Sequence, residues 1–130
     1  MHRKLMPQDL RANPNYSHGI EAAPGCRLVA VAGQTGQHGD GSIAEGIAAQ
    51  AAVAWANVLS VLAEAGMGAE HIIHYTSYLV AGVDQAAYDV ARMRALGPHR
   101  PASTKIFVAG LARPEMLCEV QAFAAGPAEK

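Results

Sequence analysis

The chain has 130 residues, of which 51% are hydrophobic and 16% are charged, and its formal net charge at pH 7 is -1. A chain of this length is expected to fold as one domain with a hydrophobic core. Because its positive and negative charges nearly balance, it offers no basic surface for nucleic acid. Apolar residues do not run unbroken over the roughly 18 positions of a membrane helix, and no secretory signal follows Met1. We therefore expect one cytoplasmic domain over residues 1–130, with no membrane or nucleic-acid partner.

The N-terminal part of the chain predicts short strands. Residues 1–14 contain two prolines and scattered charges without a clear period, so we expect an irregular arm or a short first strand. Residues 15–21 are predicted to form a strand. Residues 26–32 predict a stronger strand, because their β-branched run is bounded by glycines. Cys26 and Cys118 lie far apart in a chain without an export signal, so we expect reduced thiols.

The middle of the chain predicts two helices separated by a strand. Apolar residues recur at helical spacing from about 43 to 65, which indicates a long helix that ends at Gly66. Residues 72–80 are rich in β-branched and aromatic residues and predict a strand. Asp84 is a plausible N-cap for a second helix over 85–96.

The C-terminal part, residues 99–124, predicts a hairpin. Strands over 102–109 and 116–124 are joined by a short turn with a proline. Because successive side chains of a strand point to opposite faces, one face of this hairpin is apolar or small and suits a helix layer. The opposite face is predicted to carry the polar side chains of Ser103, Lys105, Glu119 and Gln121.

These elements predict an α+β fold of order ββαβαββ with an optional N-terminal strand. Two long helices beside a mixed or antiparallel sheet imply that both helices cover one sheet face. The other face would then expose large apolar residues, and a patch of this kind usually marks an interface. We therefore expect self-association through a face that carries Leu28, Phe107, Leu117 and Phe123.

Several stretches of the chain resemble the RidA/YjgF family of enamine and imine deaminases, in matching order and spacing. They are residues 15–18 (NYSH), 31–36 (VAGQTG), the alanine-rich helix near 49–65, the Pro-Ala pair at 101–102, and 117–122 (LCEVQA). The resemblance implies the chorismate-mutase-like fold of this family, with a mixed sheet and two helices on one face. It also implies a homotrimer with small-molecule clefts between subunits and no cofactor.

The resemblance also implies site residues. The deaminases carry an arginine directly after the Pro-Ala pair, where it binds the substrate carboxylate, and this chain has Ser103 there. The family glutamate that positions the attacking water corresponds to Gln121. Tyr16, Gly33 and Asp89, the last in place of a family asparagine, occupy positions that line the cleft. By this resemblance, the chain is a family member that lacks the usual catalytic arginine.

Other residues are candidates to supply the missing groups. Lys105 could anchor a carboxylate or act as a nucleophile or acid, and Glu119 could supply a carboxylate. A structural ion pair between Lys105 and Glu119, in the barrel that the subunits would form together, is an equally good interpretation. His18 is a further candidate for the cleft, and Arg100 would have to bend into it to replace the arginine.

The six histidines show no spacing typical of metal ligands, so we expect no metal site. The function predicted first is an enzyme that deaminates or hydrolyses a small imine, enamine or amide-like metabolite, with a small carboxylate as the substrate class. The second possible function is that of a non-catalytic oligomer that binds a small molecule or a protein. The third is that of a structural subunit without a ligand.

Overall fold

The computed structural model describes residues 1–129, so the last residue of the predicted domain lies outside the described part. Its elements follow the predicted order, including the optional N-terminal strand. They are β1 (Arg3–Leu5), β2 (Gly19–Glu21), β3 (Arg27–Thr35), α1 (Ile47–Glu64), β4 (Ile72–Val80), α2 (Gln85–Leu96), β5 (Ala102–Val108) and β6 (Cys118–Gly126). A single 3-10 turn, Ala69–His71, leads into β4.

The main sheet is mixed, as predicted, and has the strand order β3-β6-β4-β5. β6 runs antiparallel to both of its neighbours, whereas β4 and β5 are parallel. A parallel pair needs a crossover connection, and α2 supplies it. The predicted hairpin is therefore wrong, because β4 lies between β5 and β6. β1 and β2 form a separate antiparallel pair.

Both helices cover the same face of the sheet, as predicted. The buried side of α1 carries large side chains, among them Trp55, Val58 and Leu62, and they pack against buried strand residues such as Val120. Each buried side chain of this size contributes roughly 1.5–3 kcal/mol. By length and composition α1 could also cross a membrane, but a core helix passes the same test.

The helix boundaries follow local signals. The Asp84 carboxylate accepts hydrogen bonds from two backbone N–H groups of the first turn of α2, which confirms the predicted N-cap. α2 ends where Gly97 adopts a φ of 59°. The predicted start of α1 near residue 43 is wrong by about a turn, because Gly46 has a φ of 85° that a helix cannot continue.

The N-terminal strands are shorter than predicted. Of residues 15–21, only the last three form a strand, and Ser17 makes an isolated parallel bridge to Ala102. The Ser17 hydroxyl donates to the carbonyl of Arg100 at 2.5 Å, and its N–H donates to the carbonyl of Pro101. These bonds hold residues 13–17 beside the start of β5.

The sheet face away from the helices exposes apolar side chains, among them Leu28, Phe123 and Ile106, which are 75%, 45% and 41% exposed. One of the four side chains predicted for this face lies on the other face. Phe107 pairs with buried Leu79 and so lies on the helix side of the edge strand. Leu117 is half-buried and lies just before β6.

Candidate functional site

The strand register places the predicted site residues on two different faces. Ser103 pairs with Tyr75, and Lys105 pairs with Ser77. Tyr75 and Ser77 are buried under the helices. Since paired residues share a face, Ser103 and Lys105 lie on the helix side of the sheet, at its edge.

Glu119 and Gln121 lie on the opposite face. They pair with Tyr78 and Thr76, and the Tyr78 hydroxyl donates to Oε1 of Gln121 at 2.6 Å. The prediction that all four polar side chains share one face is therefore wrong within a single chain. Within one chain Lys105 and Glu119 therefore do not pair, and the predicted ion pair between subunits stays a prediction.

Gly33 also belongs to the face away from the helices. A Cβ atom at Gly33 would collide with the Glu119 carboxylate, so the carboxylate crosses directly over this glycine. A side chain at position 33 would have to displace that carboxylate. Gly33 therefore lies beside Glu119, outside the cavity described next.

A cavity of about 370 Å³ opens between α2, β5 and the N-terminal segment. It brings together four of the eight predicted site residues, namely Tyr16, Asp89, Ser103 and Lys105. Its remaining lining residues are Asn13, Asn15, Tyr75, Ser77, Gln85, Arg92 and Thr104. This volume suits a small metabolite.

Three charged side chains meet in the cavity. Nζ of Lys105 donates to Oδ1 and Oδ2 of Asp89 at 2.9 and 3.2 Å, and to Oε1 of Gln85 at 2.8 Å. Nε of Arg92 donates to the same Oδ1 at 3.1 Å. Two cations thus share one carboxylate, so the cluster has a net charge of +1.

Arg92 is the most enclosed of the three, with its side chain 6% exposed. Its Nη1 donates to the Tyr75 hydroxyl at 3.2 Å, and Tyr75 packs edge-on against Trp55. Burial acts to lower the pKa of Arg92, but Tyr75 and Asp89 outweigh burial and raise the pKa above its ordinary value. The guanidinium is therefore a fixed positive charge at the cavity wall.

A neutral hydroxyl pair lies beside the charged cluster. The hydroxyls of Ser77 and Tyr88 share a short hydrogen bond, and both side chains are buried. Burial raises the pKa of Tyr88 well above its ordinary range, so the phenol stays neutral. The Nζ atom of Lys105 also lies 5.9 Å from the centre of the Tyr88 ring.

The other two candidates lie outside the cavity lining. His18 packs edge-on against Tyr16, and its Nε2 is 2.7 Å from the carbonyl oxygen of Arg11. Arg100 donates from Nη1 to the carbonyl oxygens of Gly97 and His99, which places its guanidinium at the C-terminal end of α2.

A second cavity, of about 360 Å³, lies between the start of α1 and the start of β6, and Glu45 and Glu115 line it. It contains none of the predicted site residues. Within residues 1–129, no group of three or more His, Cys, Asp or Glu side chains could hold a metal ion.

Arg92 is the main site residue that the sequence interpretation missed. The buried residues of α2 are Tyr88, Arg92 and Leu96, which recur every four positions. An arginine within this stripe, three residues after Asp89, indicates a charge that the fold buries and pairs. That spacing was the available signal.

Known proteins share this architecture. The family model described as Endoribonuclease L-PSP matches residues 6–126. YyfB of Yersinia pestis, from the conserved Rid protein family, is 26% identical with a TM-score of 0.80, covering 95% of this chain and 97% of that one. Rv2704 of Mycobacterium tuberculosis, a member of the YjgF/YER057c/UK114 family, is 28% identical with a TM-score of 0.67, covering 84% and 85%.

Yeast Mmf1 is 25% identical with a TM-score of 0.72, covering 98% of this chain and 95% of that one. The comparison with curated proteins found no match. The family match spans nearly the whole chain and agrees with the strand and helix order described above. The chain therefore belongs to the RidA/YjgF/L-PSP family.

Proposed function

We propose that this protein is a Rid-type enzyme that deaminates or hydrolyses a small imine, enamine or amide-like metabolite in the cavity beside α2. The observation that carries the proposal is the cluster of Lys105, Asp89 and Arg92, which gives a cavity of about 370 Å³ a net charge of +1. A cationic wall of this kind suits a ligand carboxylate, and the neutral lining suits the rest of a small substrate.

The proposed reaction uses the groups that line the cavity. Water adds to the imine: its oxygen bonds to the imine carbon, and the nitrogen gains one proton as the oxygen loses one. The carbon–nitrogen bond then breaks as the hydroxyl becomes a carbonyl, and the hydroxyl proton passes to the nitrogen, which leaves as ammonia. Lys105 relays each proton, because its ammonium donates to the nitrogen and the resulting amine takes a proton from the oxygen, and the hydroxyls of Tyr16 and Ser103 orient the water. Ser103 itself supplies no charge, so the carboxylate anchor falls to the cations of the cluster.

We also propose that the protein is a homo-oligomer, with three subunits as the family resemblance implies. The exposed Leu28 and Phe123 side chains support this, because isolated chains seldom leave such an apolar sheet face in water. An oligomer could also bring Glu119 and Gln121 of one copy toward the cavity of another. Light scattering after size exclusion tests the assembly, and Phe123→Asp is expected to shift it toward the monomer.

The second candidate function is a non-catalytic binding site. The observation that favours it is the pairing of Lys105 with Asp89, which leaves neither group free as a strong acid or base. A binding protein of this kind is stabilised by its ligand but forms no product. Small carboxylates should then raise the melting temperature without any turnover.

Ammonia release from freshly generated imines distinguishes the two functions. An amino-acid oxidase supplies the imines, and ammonia or the oxo acid is followed with and without the protein. We expect the wild type to accelerate release and Lys105→Ala to lose that effect, whereas the exposed Lys4→Ala is the matched control. Thermal stabilisation by carboxylates with no acceleration for any imine would support the binding protein instead.

A further inference from the structure

We propose that the cavity selects a ligand with one carboxylate, which the free edge of Arg92 binds, and that Asp89 excludes a second negative charge. This inference rests on the proposed function of the same cavity, and it names the substrate class more narrowly. It assigns Arg92 as the specificity-determining residue, although Lys105 is the more exposed cation.

Arg92 does not use all of its hydrogen-bond donors within the protein. A guanidinium has five N–H donors, and here one at Nε bonds to Asp89 and one at Nη1 bonds to Tyr75. Nη2 makes no hydrogen bond to any residue in the described part of the chain. Both of its donors therefore remain available to a ligand.

The unused donors of Arg92 are not enclosed in the core. Within residues 1–129, Nε1 of Trp55 is the one fully buried side-chain nitrogen or oxygen without a hydrogen-bond partner. Nη2 of Arg92 is therefore not sealed in the core, and Arg92 lines the cavity. An arginine edge that is held in place and open to a cavity matches the planar geometry of a carboxylate.

The charges of the cluster leave room for one ligand carboxylate. Lys105 donates hydrogen bonds to both carboxylate oxygens of Asp89 and to Gln85, so its charge is largely compensated within the cluster. One positive charge remains, which one ligand carboxylate neutralises. A second carboxylate would meet Asp89 without a free cation to compensate it, in a site that is partly shielded from water.

Most of the remaining cavity lining is uncharged. It includes amide and hydroxyl side chains, namely Asn13, Asn15, Tyr16, Ser103 and Thr104. These groups donate and accept hydrogen bonds but carry no charge. The part of the ligand away from Arg92 is therefore expected to be uncharged.

Three four-carbon probes test the inference: butyrate, succinate and butanamide. Binding is followed by NMR titration for the wild type, Arg92→Gln, Asp89→Asn and the control Arg94→Gln, which changes an exposed arginine on the same helix. We expect the wild type to bind butyrate about tenfold more tightly than succinate or butanamide. Arg92→Gln should lose about tenfold for butyrate and little for butanamide, because a merely structural role would weaken both.

Asp89→Asn keeps Arg92 and adds one unit of positive charge to the cluster. We expect this variant to bind succinate about tenfold more tightly than the wild type does. Because Asp89→Asn leaves Arg92 in place, its succinate binding tests the inference even if Arg92→Gln does not fold. Equal binding of butyrate and succinate by the wild type, or no gain for succinate in Asp89→Asn, would overturn the inference.

The outcome also separates this inference from the proposed enzyme. Butyrate binding that depends on Arg92, without turnover of any imine, supports the inference and contradicts the enzyme. Imine turnover that is unchanged in Arg92→Gln supports the enzyme and contradicts the inference.

Discussion

Replacing Lys105 with alanine separates a ligand-binding role from a structural ion pair. The change removes the Nζ bonds to Asp89 and Gln85 but leaves the Arg92–Asp89 pair in place. If Lys105 serves the ligand, the variant loses activity while its stability hardly changes. If Lys105 serves the fold, the opposite result follows.

The magnitudes come from the geometry of the cluster. A ligand carboxylate about 4 Å from Nζ gains about 4 kcal/mol at an effective dielectric constant of about 20. Because Asp89 already neutralises part of the Lys105 charge, we halve this interaction energy to about 2 kcal/mol. A loss of that size corresponds to about 30-fold in kcat/KM. The stability cost is small, because Lys105 and Asp89 are each 28% exposed, and such pairs contribute about 1 kcal/mol or less.

The assay compares kcat/KM for imine hydrolysis with the melting temperature at one protein concentration. We expect Lys105→Ala to lose about 30-fold in kcat/KM and to melt no more than about 5 °C below the wild type. Lys4→Ala should match the wild type in both. A large fall in melting temperature with unchanged turnover would refute the ligand-binding role and show that Lys105 serves the fold through its ion pair with Asp89.

Three further predictions concern other parts of the fold. Tyr88→Phe should lower the free energy of unfolding by about 1–3 kcal/mol, because the buried Ser77 hydroxyl loses its partner; urea titration measures this, and no change would mean that Ser77 finds another partner. Iodoacetamide should modify half-exposed Cys26 in the native protein but not Cys118, because burial, with a smaller effect of Glu119, raises the pKa of Cys118 to about 12; mass spectrometry identifies the modified thiol, and modification of Cys118 under native conditions would contradict it. Burial lowers the pKa of His74 below 6.5, so the unfolded chain binds this proton more readily and stability falls as the pH drops below about 6.5; urea titrations from pH 7.5 downward should show a shallower fall for His74→Gln, and equal slopes would rule this out.

The parts of the fold that could be predicted depend on signals within a short window. The capping carboxylate of Asp84, the helical period of residues 85–96 and Gly97 lie next to one another, and α2 has the predicted bounds. That Ser103 and Lys105 share one face of β5 is an equally local result, because side chains two residues apart on a strand point the same way.

The covered face of β5 could not be obtained from alternation. Alternation tells which residues share a face, but contacts with α2 decide which face the helices cover. The hairpin prediction assumed that strands adjacent in sequence also pair. The order β4-α2-β5 favours a parallel crossover instead, so β6 pairs on the other side of β4. Its register with β4 places Glu119 and Gln121 on the face opposite Lys105.

The role of Arg92 depends on residues from different elements. Its partners are Asp89, one helical turn earlier, and Tyr75, on a strand that is adjacent only in the folded chain. The sequence shows an arginine on a buried stripe, but it does not show the hydroxyl or the cavity that makes the guanidinium available to a ligand.

A crystal structure of the protein with bound butyrate shows whether the cavity beside α2 binds a carboxylate at Arg92, as we propose. We expect a carboxylate oxygen about 3 Å from Nη2 of Arg92, with the alkyl chain toward Ser103 and Thr104. Butyrate bound only in the second cavity, or on the sheet face beside Gln121, would contradict it.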